Sequence, residues 1–152
     1  MKNILIQVII VGCAASVLSC SGSGKTAIKL GVTDGKLAPC PDSPNCVSSQ
    51  AGDAVHKIEP LAYKTDRTDA FSRLVTVIKG MKRTRIISST DNYIHAEFTS
   101  KIFRFVDDVE FYFTNAGKVI HVRSASRVGY GDMGVNRKRV EEIRMLFTEK
   151  EK

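Results

Sequence analysis

The chain has 152 residues, of which 43% are hydrophobic and 26% charged, and a formal net charge of +7. That length leaves little room for a second domain, and the composition is ordinary for a globular protein. The 23 basic residues are scattered rather than gathered in one run, which argues against a nucleic-acid interface.

The N-terminus carries an address. Met1-Lys2-Asn3 is a short basic head, and Ile4 to Leu18 is almost wholly apolar and small. The run matches a signal-peptide core and is short for a membrane span. It ends in Val17-Leu18-Ser19-Cys20. This ending resembles the lipobox of bacterial lipoproteins, although Leu18 is a less common residue there. The resemblance implies a signal peptide over residues 1–19, cleavage before Cys20, a diacylglycerol thioether on the Cys20 sulfur and an acylated (palmitate-type) amino end. An ordinary signal peptide or an uncleaved anchor is the alternative. More than one acyl chain makes membrane attachment nearly permanent. Ser21 rather than aspartate follows the cysteine, and by bacterial sorting rules the resemblance implies the outer membrane. The expected location is the bacterial cell envelope, facing the periplasm. Such an address also removes nucleic acid as a partner.

Residues 20–36 are rich in Gly, Ser and Lys without a sustained period, and read as a flexible tether. Of the four cysteines, Cys13 leaves with the signal peptide and Cys20 takes lipid. Cys40 and Cys46 remain, in C-P-D-S-P-N-C. In an oxidising compartment this pair is expected to form a structural disulfide. Closing so small a loop restrains the unfolded chain by roughly 2 kcal/mol on the entropy model. The rival is a metal or redox site. The spacing is not C-x-x-C, and no second cysteine pair completes a zinc site. The expected complement is therefore no metal and no cofactor.

Residues 37–152 read as one α+β domain. Val55 to Tyr63 suits a short edge strand, since Pro60 disfavours a central one. Asp66 or Thr68 begins a helix whose Phe71, Leu74, Val75 and Ile78 share a face, and Gly80 suits its stop. Strand signals follow over Thr84–Thr90 and Tyr93–Thr99, joined by Asp91-Asn92. In the second, Ile94, Ala96 and Phe98 oppose Tyr93, His95 and Glu97. Ser100 to Val106 suits either a bulged continuation or one helical turn. Asp108–Thr114 and Lys118–Ser124 pair through Asn115-Ala116-Gly117. Val140, Ile143, Leu146 and Phe147 give a second amphipathic helix. The order helix, four strands, helix with tight turns predicts an antiparallel meander of four to five strands, with both helices on one face in two layers.

Three motifs carry a further resemblance: C-P-D-S-P-N-C-V-S, F-V-D-D-V-E-F and R-S-A-S-R-V-G-Y-G-D-M-G-V-N-R-K-R-V-E. Together they resemble the domain-of-unknown-function family 1499 over about Leu37 to Phe147. The resemblance implies a bacterial, exported or membrane-linked protein. It supplies no catalytic residue and no cofactor.

The stretch from Arg123 to Arg139 is the densest polar set in the chain. Its expected partners across the β-ribbon are Asp107 and Asp108, with Asp132 expected to cap the second helix. The candidate anion-binding residues are Arg123, Ser124, Ser126, Arg127, Asn136 and Arg137, which offer forked donors near a helix start. The competing reading is structural: Arg123 or Arg127 pairs with Asp107, Asp108 or Asp132. His95 and His121 read as residues of a polar strand face, His95 as an exposed one. Ser124 or Ser126 with His121 and Asp108 makes no recognisable nucleophile motif. The sequence thus supports a lipid-anchored envelope protein, a binding or structural module without catalysis, whose partners are the membrane and an anionic small molecule or lipid headgroup. The alternative is an envelope hydrolase or transferase using the Asp107/Asp108–Arg123–Asp132 end.

Overall fold

A computed structural model describes residues 29–150. The expected signal peptide, Cys20 and most of the expected tether lie outside the described residues. Ten elements follow in order: β1 (Val32–Thr33), β2 (Lys36–Leu37), β3 (Cys46–Ser48), β4 (Leu61–Ala62), α1 (Arg67–Gly80), β5 (Thr84–Thr90), β6 (Tyr93–Thr99), β7 (Val106–Phe113), β8 (Val119–Ser126) and α2 (Val135–Glu149).

Helix α1 starts because Asp66 is extended (φ −71°, ψ 167°) and its carboxylate accepts from the Asp69 N–H at 2.8 Å. Asp69 in the first turn and Lys79 in the last suit the helix dipole. Ala70, Leu74, Val77 and Ile78 form its buried face. Helix α2 begins after Gly134, whose φ of +76° a side chain would strain. Asp132 supplies the cap from two residues upstream, accepting from the N–H groups of Gly134 (2.9 Å) and Asn136 (2.7 Å). Val140, Ile143 and Phe147 point inward. The Arg73 guanidinium lies 4.9 Å over the Phe147 ring, linking the two helices.

Strands β5 to β8 form the expected antiparallel meander. Alternation puts Ile94, Ala96 and Phe98 of β6 beside Val109, Phe111 and Phe113 of β7 and Ile120 and Val122 of β8. These residues and the inner faces of both helices make one core cluster. The fold is α+β, with the helices layered on one sheet face.

Four features differ from the sequence expectation. The sheet has six strands, because β3 and β4 both add to the outer edge of β8. The cysteine segment therefore belongs to the sheet: Cys46, bonded to Cys40, also pairs with Ala125 of β8. The Val55–Tyr63 strand shrinks to Leu61–Ala62, directly after Pro60. Ser100 to Phe105 is a closed turn rather than a bulged continuation of the strand. Its ends are joined by the Ser100 N–H to the Phe105 carbonyl (2.8 Å) and the Phe105 N–H to Ser100 Oγ (2.9 Å). Fourth, the last residues assigned to the tether are structured. β1 and β2 form a hairpin, and the Gly31 N–H donates to Glu110 on the sheet at 2.7 Å.

Candidate functional site

The end of the β7–β8 ribbon and the start of α2 do meet, but the sheet divides their polar groups between its two faces. Side chains alternate, so Asp107 and Asp108 point oppositely, as do Arg123 and Ser124.

On the helix face lies a closed knot. Arg139 donates to Asp107 Oδ2 (2.6 Å), Asn136 Oδ1 (2.7 Å) and Ser124 Oγ (3.2 Å). Ser124 Oγ donates to Asn136 Oδ1 at 2.5 Å. Asn136 Nδ2 donates to Ser126 Oγ (2.9 Å) and to the Asn45 carbonyl (3.0 Å). The Arg139 guanidinium also covers the Phe98 ring at 4.9 Å. Asn136 and Ser124 are fully buried, and this knot fastens α2 to β7, β8 and the disulfide loop. Basic residues in the first turn of α2 oppose its dipole. Arg139 is compensated by Asp107. Arg137 reaches away from the knot, to the carbonyls of Lys57 (2.7 Å) and Val55 (2.8 Å).

On the opposite face lies an ion-pair layer. Arg127 grips Asp108 with two donors, Nε to Oδ2 (2.8 Å) and Nη2 to Oδ1 (2.7 Å), and Nη2 also reaches Glu97. Arg85 donates to Glu97 from the other side at 2.9 Å. His95 Nε2 lies 2.7 Å from Asp108 Oδ1. Glu110, fully buried, accepts from Tyr93 Oη (2.8 Å), the Gly31 N–H (2.7 Å) and Arg123 Nη1 (3.1 Å). His95 is thus buried against a carboxylate, not exposed as the sequence suggested. The residues missed from sequence are Glu110, Glu97, Tyr93 and Arg139. Parity along D-D-V-E-F places Glu110 on the face of Asp108; nothing in the strand itself says that the β1–β2 segment covers that face.

The charges hold one another in place. Burial pushes the Asp108 carboxyl up, but the hydrogen bonds from Arg127 and His95 outweigh it and hold the group at about 2, against an ordinary 3.8. The hydrogen bonds from Arg85 and then Arg127 hold Glu97 below its usual range. Burial and the Glu110 charge push the Tyr93 hydroxyl up, so it remains a donor. A depressed carboxyl means that the unfolded chain takes up this proton more readily than the folded one. Its contribution is therefore full above about pH 4 and lost as pH falls through about 2. We expect Asp108→Asn to remove about 2 kcal/mol at neutral pH and to flatten the loss of stability between about pH 4 and about pH 2. Urea midpoints across that window measure it; a mutant with an unchanged acid slope would refute the assignment.

A cleft of about 440 Å³ opens beside this layer. Its walls include Arg123 and Arg127 of the β8 side, Gly129, the residues Pro39, Cys40, Pro41 and Ser43 of the disulfide segment, and Lys29. Asn45 Nδ2, donating to the Gly129 carbonyl at 2.6 Å, closes one side. The Arg123 Nε–H is buried and has no acceptor among the described residues. A buried donor left unsatisfied costs on the order of 1–3 kcal/mol. Formal charges in the layer cancel: Arg85 and Arg127 against Asp108 and Glu97, Arg123 against Glu110. Lys29 adds a positive charge beyond that balance.

Of the six candidate anion residues, Arg123 and Arg127 line this cleft with Ser126, while Ser124 and Asn136 are enclosed in the knot and Arg137 is elsewhere. Asp107, Asp108 and Asp132 occupy three separate places. A Ser124–His121–Asp108 triad is ruled out by the faces they occupy; His121 Nδ1 instead lies 3.0 Å from Ser49 Oγ. Among the described residues, no group of three or more His, Cys, Asp or Glu is arranged to hold a metal, and no helix is long and apolar enough to cross a membrane.

An antiparallel sheet with helices on one side and an ordered ion-pair layer on the other defines a class of small α+β protein. Residues 36–147 match the family model described as protein of unknown function (DUF1499), and the chain belongs to that family. No curated protein matches it.

Proposed function

We propose that this chain is a lipid-anchored protein of the bacterial envelope, held at Cys20 in the outer membrane and facing the periplasm. In this reading it is a non-catalytic module that binds a small anion, a phosphate or carboxylate, in the cleft beside the Cys40–Cys46 disulfide. The observation that carries the reading is the Arg123 Nε–H, buried without an acceptor among the described residues, in the wall of a cleft that Lys29 makes net positive. An oxyanion would bring the missing acceptor and balance the extra charge. Glu97, Asp108 and Glu110 of the layer are each spent on arginines and are not available as bases.

Titration calorimetry on the full-length lipoprotein tests this with inorganic phosphate and with glycerol phosphate. Binding by the first identifies a free anion; binding only by the second identifies a headgroup. Lys29→Ala lies at the surface, leaves the fold intact and is expected to weaken binding about tenfold or more. No binding in either arm, or unchanged binding in the variant, would reject the anion site. The anchor is tested separately: Cys20→Ser should move the chain from the membrane fraction to the soluble one.

A further inference from the structure

One end of the molecule presents apolar side chains that nothing in the described residues covers. The β6–β7 turn, K-I-F-R-F, exposes Ile102 (78%), Phe103 (72%) and Phe105 (52%). The loop from β8 to α2 exposes Val128, Tyr130 and Met133, the last at 94%. The two loops leave the same end of the sheet on adjacent strands, and the Arg127 N–H donates to the Val106 carbonyl where they start. The Phe103 and Phe105 rings stack on one another at 5.5 Å and not on the core. Isolated exposed apolar residues are ordinary, but six on two neighbouring loop tips are not.

The surrounding charge is mainly positive. Lys101 and Arg104 alternate with the apolar residues of the turn, and Lys82, Arg83 and Lys138 line the adjoining surface depression, where Glu142 is the one acidic residue against them. The three aspartates at this end are occupied: Asp132 caps α2, Asp107 pairs with Arg139, and Asp108 pairs with Arg127. Aromatic and aliphatic tips framed by lysine and arginine suit the headgroup region of an anionic bilayer, where rings sit at the acyl boundary and cations among phosphates.

The path of the chain points the same way independently. The described residues begin at Lys29, which borders the cleft together with Arg127, Val128 and Gly129. The chain thus enters the domain at the end that carries the apolar tips. Cys20 stands nine positions before Lys29. At full stretch that length of chain reaches on the order of 30 Å. If Cys20 carries lipid, this end is the one held against the bilayer.

We infer that the turn at 101–105 and the loop at 128–133 form a membrane-docking surface, with Ile102, Phe103, Tyr130 and Met133 inserting among anionic lipids and Lys101 and Arg104 contacting their phosphates. The orientation rests on the lipid-anchor reading; the surface chemistry does not.

The chain has no tryptophan, so one introduced residue reports its own position. The full-length protein carrying Phe103→Trp is reconstituted into vesicles of phosphatidylethanolamine and phosphatidylglycerol, and Ala116→Trp, on the turn at the far end of the β7–β8 ribbon, serves as its control. Phe103→Trp should shift its emission to the blue and be quenched several-fold more than Ala116→Trp by bromine-labelled acyl chains. Adding Lys101→Glu and Arg104→Glu should remove most of that quenching. Quenching equal at the two positions, or absent from a vesicle-bound Phe103→Trp chain, overturns the proposal. So does a blue shift without quenching, which would mean that a protein partner or a second copy covers the patch. The mass of Cys20 is measured on the same sample. A chain without lipid fails the anchor reading, and the docking surface is then judged by the same quenching on added vesicles.

Discussion

Replacing Arg123 with methionine should cost about 3–5 kcal/mol, because it leaves the fully buried Glu110 carboxylate without its cation. Few single changes in this chain should cost more. Typical domains have only about 5–15 kcal/mol to lose. Glu110 keeps the Tyr93 hydroxyl and the Gly31 N–H, two neutral donors that do not replace a guanidinium. The companion change Glu110→Gln removes the charge but keeps an oxygen for both donors. The double variant Arg123→Met/Glu110→Gln is therefore expected to recover most of the loss. Urea midpoints of the two single variants and the double variant form the cycle. Strictly additive losses would mean that the two charges do not depend on each other, and the layer would not be the electrostatic unit described above. The cycle also separates structure from ligand binding, since an arginine kept only for an anion would be dispensable to folding.

Phe111→Ala is expected to cost about 3–5 kcal/mol as well, by a different mechanism. Phe111 is wholly buried in the middle of β7, between Ile94 of β6 and Val122 of β8, within the core shared with both helices. Its removal leaves a cavity that three hydrogen-bonded strands cannot collapse into. Phe103→Ala, a chemically identical change on the exposed turn, should stay within about 0.5 kcal/mol of wild type. Denaturant unfolding compares the two directly. A large loss from Phe103→Ala would show that its ring packs into the fold, and would remove the docking surface with it.

The disulfide loop and the ion-pair layer illustrate how far local patterns reach. Asp66 caps α1, Ile94–Ala96–Phe98 forms a buried stripe, and Asn115-Ala116-Gly117 turns a hairpin, because each depends on neighbours within a few residues. Strand β3 escaped because three residues, Cys46 to Ser48, hold too little alternation to register, and their partner is β8, far along the chain. The candidate site was legible in membership but not in grouping. Asp107, Asp108, Arg123 and Ser124 all sit at the expected end. Yet strand parity sends alternate residues to opposite faces, and reading them as one constellation ignored a period of two.

Local sequence was enough to set the cysteine pair, the helices, the meander and which residues of each strand face inward, because caps, turns and alternation act over short distances. Long-range packing alone settled that Glu110 is buried, that Arg123 pairs with it and that Lys29 and Arg127 border one cleft. Those outcomes depend on what covers the polar sheet face, and the covering segment, residues 29–40, lies some 70–100 residues away in the chain. Whether a charged side chain ends in water or in an ion pair is set by that distant cover, through desolvation, and no local pattern encodes it.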